Sequence, residues 1–396
     1  MVTASWPVDN PNLMILTSRE AILDLAPVLQ ALAERTGQPG AMHWLNYFLD
    51  KGVAGRRVPY LVLLLNPEAE QGDSLRANDL QAAALFFEYR LFGVRTGAYT
   101  TGDAVGFNSV IAPFASRTQV AAIALRALVQ QGAKVVLATY EGHKAAQPRD
   151  VLASLPRLQA ASRQRYVERT LKLGRTMDET LAHLGKHTRS NLRYYRRRLE
   201  KQMTLTFVPE AAPLLAGTDF QKLNAASLNP VSAPEFERRV RSATTLQGSF
   251  LCGLQGPNGE WISLIGGWRQ GGITVLHWQM NTAGFEKHSI STVMRSFLLE
   301  AEVARGAEQL LIHGGTPHSM HHSFEQQPIA DLIVRRKGLV SLGLRTMAHL
   351  FATPSGVLGR SNFFASTLLD ETLEWVPGPS GKELELSTAR QFGTLA

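Results

Sequence analysis

The sequence of 396 residues contains a single cysteine, Cys252. One thiol cannot build a disulfide framework, and it excludes a cysteine-rich metal site. Cys252 lies in the apolar run SFLCGLQG, so we interpret it as a buried structural thiol.

Long hydrophobic runs are also missing. The longest, YLVLLL, is far shorter than the roughly 20 apolar residues that a membrane-spanning helix needs. The N-terminal stretch MVTASWPVDNPN lacks the basic start and apolar core of a signal peptide. We therefore expect a cytoplasmic protein without a transmembrane segment.

Several catalytic motifs are absent as well. The sequence has no Walker A motif, no GxGxxG that opens a helix and no GxSxG nucleophile elbow. His318, His321 and His322 are spaced as metal ligands on a helix could be, but no carboxylate or cysteine completes a known pattern. We predict no bound metal.

The overall composition is that of an ordinary globular protein, with 44% apolar and 19% charged residues. The length favours two domains over one. A net charge of +8 favours anionic partners but is too dispersed to indicate DNA binding, and we expect no DNA partner. The oligomeric state stays open.

The segment GKHTRSNLRYYRRRLEK, residues 185–201, carries seven basic side chains and one carboxylate, Glu200. Its apolar residues recur at three-to-four-residue spacing, at Leu192, Tyr195 and Leu199. This pattern predicts an amphipathic helix over residues 186–201, with Thr188 as a candidate N-cap.

Three arginines of this helix lie at four-residue spacing along one stripe, Arg189, Arg193 and Arg197. Arginine suits phosphate because its guanidinium donates two parallel hydrogen bonds. We predict that these three bind an anionic substrate, although a charged helix face is more often only solvated.

The chain contains the same unit twice. RTQVAAIALRALVQQGAKVVLAT, residues 117–139, and STVMRSFLLEAEVARGAEQLLIHGG, residues 291–315, each predict a helix, a glycine C-cap and a short strand. The C-cap glycines are Gly132 and Gly306. Short strands joined by Gly/Asn/Pro turns precede each helix, so each unit predicts an antiparallel meander followed by a helix and a strand.

We therefore predict an α/β chain (an α+β mixed sheet) with two tandem units, each a mostly antiparallel central sheet flanked by helices. The predicted boundaries are 1–150 for the first domain, 151–345 for the second and 346–396 for a C-terminal tail.

The segment MDETLAHLGKHTRSNLRYYRRRLEKQ resembles a basic helix of the GNAT superfamily of acyltransferases. It is most similar to the CelD-like and BioF2-like acetyltransferase domains, which resemble the Fem-type transferases with two GNAT units. GSFLCGLQGPNGEWISLIGGWRQGGITVLHWQMN looks like the central strands of that family, and ARGAEQLLIHGGT like the strand after its cofactor helix. The resemblance covers roughly residues 170–340.

Three features depart from the family pattern. The turn before the cofactor helix reads EKHSIST and lacks the usual glycine, and His313 stands near the usual aspartate. The later loop reads GGTPHSMHH, without the lysine that commonly follows its glycine.

The resemblance implies an N-acyltransferase that moves an acyl group, with acetyl-CoA as the expected donor. The acceptor would be an amine on a small molecule or a nucleotide-linked compound, such as a cell-envelope or exopolysaccharide precursor. In GNAT folds a loop and a helix N-terminus hold the cofactor diphosphate. The corresponding residues here are Lys287, His288, Ser289, Ile290, Ser291 and Thr292.

His277 and His313 are the candidates for the general base, since histidine titrates near neutral pH and the two flank one cleft in this topology. Trp278 is a candidate substrate wall, although core packing is the commoner role for such a side chain. In the first unit the element that matches the cofactor turn contains Ser116, Arg117 and Thr118.

Two other functions stay open. A Fem-like transferase would take its acyl group from charged tRNA, which would then be a partner. A non-catalytic binding protein would keep the GNAT fold, and the missing glycine and aspartate favour this reading. The basic helix together with His277 and His313 favours an enzyme.

Overall fold

The structure of the chain is a computed structural model. The structure describes residues 4–5, 12–38, 58–68, 75–91, 94–101, 110–113, 116–141, 152, 158–215, 217–246, 248–312, 325–336 and 373–378.

The chain forms two compact units. The first comprises Met1–Met42, Arg56–Tyr166 and Pro328–Ala396, and the second comprises His43–Gly55 and Val167–Gln327. These units divide the chain differently from the boundaries drawn at 150 and 345, which stay predictions.

The strands are β1 Ala4–Ser5, β2 Leu13–Leu16, β3 Val58–Leu65, β4 Leu80–Leu91, β5 Val94–Thr100, β6 Val110–Ile111, β7 Val135–Glu141, β8 Leu158–Lys172, β9 Thr206–Val208, β10 Ser249–Gln255, β11 Trp261–Gln270, β12 Ile273–Asn281, β13 Gln309–Ile312, β14 Glu325–Arg336 and β15 Val376–Pro377. The α-helices are α1 Arg19–Asp24, α2 Ala26–Arg35, α3 Arg117–Gln130, α4 Met177–Ala182, α5 Lys186–Glu200, α6 Gly217–Ala225, α7 Ala233–Thr244 and α8 Ile290–Ala304. Short 3₁₀ helices lie at Ala77–Asp79, Ala212–Leu214 and Glu286–His288.

The sheet of the first unit follows the order β1-β2-β3-β4-β5-β7-β14-β8. Strands β1 to β5 pair antiparallel, β5 and β7 pair parallel, and β7 and β14 pair antiparallel. Helix α3 packs Leu125 and Leu128 into the same apolar core as Val62, Phe86 and Val136 of the strands. A half-buried sheet face and an apolar helix stripe thus form one core.

The sheet of the second unit follows the order β8-β13-β12-β11-β10-β9. Only β12 and β13 pair parallel among these described strands, and the others pair antiparallel. Helices α4, α5 and α8 share one apolar core with the sheet, and helices α6 and α7 share another. Alternate residues of β10 serve the two cores, since Cys252 belongs to the first and Leu251 to the second.

The two units repeat the same topology, as the sequence predicts. In each, three antiparallel strands lead to a helix and then to a strand parallel to the third. Gly132 and Gly306 end the two helices with positive φ, at 95° and 76°. The next N–H groups, of Ala133 and Ala307, bond back to helix carbonyls at 2.9 and 3.0 Å, which is the Schellman arrangement. The predicted α/β class with two sheets flanked by helices is confirmed.

Several elements do not follow from the sequence patterns. Among them are helix α7 and strands β8 and β14. Arg163 of β8 lies 3.5 Å from the fully buried Asp331 of β14. A charged pair inside a sheet hides the apolar alternation by which strands are recognised.

The amphipathic helix over 186–201 is confirmed as α5, which ends at Glu200. Leu192 and Leu199 are buried, and Tyr195 packs against the same core. The candidate N-cap was wrong: Gly185 precedes the helix in extended conformation, and Thr188 is buried inside the first turn.

Candidate functional site

The segment between β12 and α8 forms a tight turn. Residues Glu286–His288 make one turn of 3₁₀ helix, and Ser289 then adopts φ 49° and ψ 50°. This left-handed conformation favours glycine, because a side chain there crowds the following carbonyl. Ser289 therefore takes a backbone conformation that favours glycine, in a turn whose residues 285–291 include none.

The turn bonds internally and leaves two donors at the start of α8. His288 N–H donates to the carbonyl of Phe285 and Ser289 N–H to that of Glu286, both at 3.0 Å. The N–H groups of Ile290 and Ser291 have no acceptor within the described part of the chain. Such N–H groups and the positive end of the helix dipole together favour an anion.

The side chains of the turn differ in how they could meet a ligand. Lys287 is exposed, and His288 is half-buried with an Nδ1 atom that finds no partner in the described chain. Ile290 buries its side chain in the core, so only its N–H group could contact a ligand. The exposed Glu286 places a negative charge beside Lys287, which would oppose the binding of an anion. Backbone N–H groups of Glu286 and Gly284 lower the pKa of its carboxyl.

His277 lies at a β-bulge in β12. Gly266 of β11 pairs with Trp278 and Gly267 pairs with Leu276, so His277 is the extra residue between them. A bulge turns the following side chains to the other face of the sheet. Accordingly, Leu276 belongs to the core beneath α8, whereas Trp278 belongs to the core beneath α6 and α7.

Trp278 is mainly a packing residue in this arrangement. Its side chain is 7% exposed and packs in one cluster with Phe220 and Leu264. The absence of a side chain on Gly266 leaves the space that the indole fills. The indole Nε1–H has no acceptor among the described residues, so a substrate contact through this donor stays a prediction.

A polar network that the sequence reading missed joins β12 to the start of α8. Gln279 Nε2 donates to the Ser291 carbonyl at 3.4 Å and to Asn281 Oδ1 at 3.1 Å. Arg295 Nε donates to Gln279 Oε1 at 3.0 Å, and Ser263 Oγ to Asn281 Oδ1 at 2.8 Å. The sequence signal for this network is the pair of polar residues at alternate positions of β12, Gln279 and Asn281.

The basic helix α5 lies beside the turn. It contacts both α8 and the 3₁₀ turn Glu286–His288, about 90 residues later in the chain. Arg196 joins the two helices: its guanidinium donates to Glu300 of α8 at 2.6 Å and stacks 3.9 Å from the Phe297 ring centroid. The predicted substrate and cofactor elements are therefore neighbours in the second unit.

The outward face of α5 lines a groove of about 720 Å³, which we call the basic groove. Its described lining residues are Lys186, Arg189, Ser190, Arg193, Tyr194, Arg197, Arg198, Lys201 and Gln202. The predicted stripe Arg189, Arg193 and Arg197 lies in this groove. The other basic residues of the lining were missed, although their spacing on a helical wheel places them on the same side.

Some predicted positions fall outside the described residues. These are His313, His318, His321 and His322. The described pairing of β12 with β13 reaches Leu276 and Ile312, the residues directly before His277 and His313.

The matching element of the first unit is arranged differently. Ser116 Oγ donates to the carbonyl of Pro113 at 3.0 Å, and Arg117 Nε donates to that of Ala112 at 3.3 Å. The side chain of Thr118 lies outside the described residues. Because these groups satisfy local carbonyls, the second unit is the stronger candidate for a cofactor site.

The described residues provide neither a reactive thiol nor a metal site nor a membrane-spanning helix. The Cys252 thiol is fully buried, and burial raises its pKa, so it is not a thiolate nucleophile. No group of three or more His, Cys, Asp or Glu side chains in the described ranges could hold a metal ion. No described helix is both long and apolar enough to cross a bilayer.

No family model and no curated protein matches the sequence. Among solved structures, the C-terminal domain of a protein assigned as a lysylphosphatidylglycerol synthetase from Agrobacterium fabrum is similar, with a TM-score of 0.50 and 12% identity over 84% of this chain and 99% of that one. L-PGS from Bacillus licheniformis has a TM-score of 0.48 and 12% identity, covering 78% of this chain and 92% of that one. A tandem GNAT protein from the clavulanic acid biosynthesis pathway has a TM-score of 0.48 and 10% identity, covering 82% of this chain and 99% of that one. At such identities the likeness extends to the fold alone.

Proposed function

We propose that this protein is a GNAT-type N-acyltransferase whose second unit binds acyl-CoA, with acetyl-CoA as the expected donor. The observation that carries the proposal is the turn before α8, where Ser289 is left-handed and the N–H groups of Ile290 and Ser291 find no acceptor among the residues that the structure describes. A cofactor diphosphate would accept from these donors and meet Lys287. Hydroxyls of Ser289, Ser291 and Thr292 would add further donors.

The chemistry joins an amine to the thioester carbonyl. The amine nitrogen attacks, the carbon–sulfur bond breaks, and the coenzyme A thiol leaves. A base must take the amine proton, and His277 at the bulge of β12 and His313 directly after β13 are the candidates. Arg189, Arg193 and Arg197 would hold an anionic acceptor, such as a nucleotide-linked or cell-envelope precursor with a free amine.

A second candidate function is acyl transfer from a charged tRNA. The continuous positive charge of the basic groove favours it, because an acyl-CoA needs fewer cations than the groove provides. The turn before α8 supports transfer from acyl-CoA, and the charge of the basic groove supports transfer from tRNA.

Binding of acetyl-CoA tests the first proposal, with two neighbouring substitutions of opposite effect. Lys287→Gln should weaken the affinity about 2- to 5-fold, whereas Glu286→Gln should strengthen it by a similar factor, since a charge near a helix N-terminus contributes roughly 0.3–1 kcal/mol. Lys287→Gln removes an exposed side chain and should leave the melting temperature of the free protein unchanged. Glu286→Gln should lower it slightly, because the backbone N–H groups that lower the pKa of this carboxyl stabilise its charged form. Titration calorimetry with acetyl-CoA, longer acyl-CoAs and ADP would give the affinities.

Turnover tests the base. His277→Gln should lower kcat about 10²- to 10⁴-fold with acetyl-CoA affinity unchanged, because general base catalysis contributes a factor of this size. His183→Gln, an exposed histidine of the same unit, is the control and should keep the wild-type rate. If acetyl-CoA at millimolar concentration neither binds nor raises the melting temperature, the acyl-CoA proposal fails.

A further inference from the structure

The basic groove contains more cations than a small phosphorylated ligand can use. Six of its nine described lining residues are lysine or arginine, and none is a carboxylate. From Lys186 to Lys201 the helix rises about 22 Å, at about 1.5 Å per residue. A single diphosphate would cover about one helical turn of this length, 5.4 Å.

Most of this charge is not neutralised within the described chain. Lys186, Arg197, Arg198 and Lys201 have no carboxylate partner there. Arg193 pairs with Asp178 at 3.0 Å, but both side chains are exposed, at 52% and 89%, so water and salt screen the pair. A row of open cations held on a rigid helix is suited to a row of anions.

The groove also contains an exposed aromatic ring. Tyr194 is 54% exposed and lies among the basic residues of the lining. The neighbouring Tyr195 meets it edge-on, with ring centroids 5.3 Å apart, and itself packs against the core. An aromatic ring held in this way between cations can stack on a nucleobase.

We propose that the basic groove binds a single-stranded phosphodiester chain, with the cations along its backbone and one base on Tyr194. This inference names the class of anionic substrate for Arg189, Arg193 and Arg197, and it rests on the proposed function for their role as substrate-binding residues. A phosphodiester strand fits because its phosphates repeat along a line, as the lysines and arginines of α5 do.

The experiment measures the affinity of the full chain for fluorescent oligo(U) of about 12 nucleotides, within the range of known single-strand sites, as a function of salt. Five to six phosphate contacts give a slope of about −3.5 to −4.2 in log K against log salt, or roughly 130- to 340-fold weaker binding between about 50 and 200 mM salt. Oligo(dT) of the same length separates RNA from DNA as the source of the strand. No acyl-CoA or amine is present, so this test can fail independently of the acyltransferase proposal.

Matched variants assign the binding to the groove. Arg189, Arg193 and Arg197 changed together to Gln should make the slope shallower by about 2, since each single-strand contact contributes about 0.7. Arg175, Lys222 and Arg305 changed together to Gln remove the same charge from exposed positions of the same unit outside the lining, and should leave the slope unchanged. Changing the three groove arginines to Lys keeps the charge and should keep the slope. An unchanged slope in this control would show that substitution at these positions does not unfold the protein.

Tyr194→Ala should weaken oligo(U) binding about tenfold at every salt concentration without changing the slope, because stacking involves no counterion release. The proposal is overturned if both triple-Gln variants reduce the slope equally, which would mean diffuse attraction to a basic protein. It is also overturned if ADP binds the groove as tightly as the oligonucleotide, or if anionic phosphatidylglycerol vesicles bind and oligonucleotides do not.

Discussion

Ser289 shows how a single residue can be forced into an unfavourable conformation by its surroundings. It is the only residue other than glycine with positive φ in the part of the chain that the structure describes. Its carbonyl accepts from the N–H groups of Thr292 and Val293, at 2.8 and 3.1 Å, so the first turn of α8 holds it in place. Strain of this kind costs about 1–2 kcal/mol and is concentrated at ligand sites.

Two substitutions at Ser289 should measure the strain of its left-handed backbone. Ser289→Val should lower the free energy of unfolding by about 1–2 kcal/mol, because a β-branched side chain tolerates positive φ least. Ser289→Gly removes the crowding and should be neutral or stabilising by up to about 1 kcal/mol. Urea unfolding of the two variants would measure the difference, and equal stabilities would contradict the left-handed assignment.

At the scale of elements, helix α8 is attached to the sheet by a buried carboxylate. Glu302 is fully buried and accepts from Arg269 of β11 at 2.7 and 3.0 Å and from Thr274 of β12 at 2.6 Å. Arg269 also stacks on Phe250, 4.1 Å from the ring centroid. These contacts fix α8, and with it the turn that begins the helix, against the strands that carry His277.

Removing this attachment should be costly. Glu302→Ala leaves Arg269 and Thr274 without their buried acceptor and should lower the free energy of unfolding by about 3 kcal/mol, since a broken buried pair leaves an uncompensated charge. Glu300→Ala on the same helix is the control. Glu300 is 55% exposed in its pair with Arg196, so its loss should cost less than about 1 kcal/mol.

Denaturant unfolding monitored by circular dichroism would give both values. Similar losses in the two variants would show that burial does not distinguish the two carboxylates.

At the scale of the whole molecule, each unit uses the same device to end its helix. Gly132 and Gly306 both have positive φ, and a Cβ atom added to either would meet no described atom within 4 Å. Space is therefore available, and the backbone conformation alone requires glycine. The topological repeat thus extends to single residues. Gly132 and Gly306 lie 174 positions apart in the chain and end their helices in the same conformation.

The repeat predicts matched costs. Gly132→Ala and Gly306→Ala should each lower the free energy of unfolding by about 1–2 kcal/mol, the cost of a left-handed alanine. Gly217→Ala, at the first residue of α6 with equally open space and no positive φ, should instead change this free energy by less than about 0.5 kcal/mol. Thermal melts of the three variants would test this, and a neutral Gly306→Ala would contradict the equivalence of the two helix ends.

Local signals were enough for much of this fold. Amphipathic spacing located α3, α5 and α8, and the two C-cap glycines located the strands that follow. Strands β8 and β14 were missed, because their pair Arg163 and Asp331 interrupts the apolar alternation. Helix α7 was also missed, although Phe236 and Val240 recur at four-residue spacing and Pro234 lies in its first turn. The spacing of apolar residues identifies the buried face of a helix or strand only where that face is uniformly apolar.

The sequence by itself determined the repeated strand–helix–strand units, the amphipathic basic helix and the buried thiol, since these depend on periodicity and on the conformational limits of glycine. Only the tertiary structure decided that Ser289 takes the left-handed conformation, that a bulge at His277 turns Trp278 into another core, and that the basic helix lies beside the turn before α8. Those features depend on strand register and helix packing between residues distant in the chain, which no local pattern encodes.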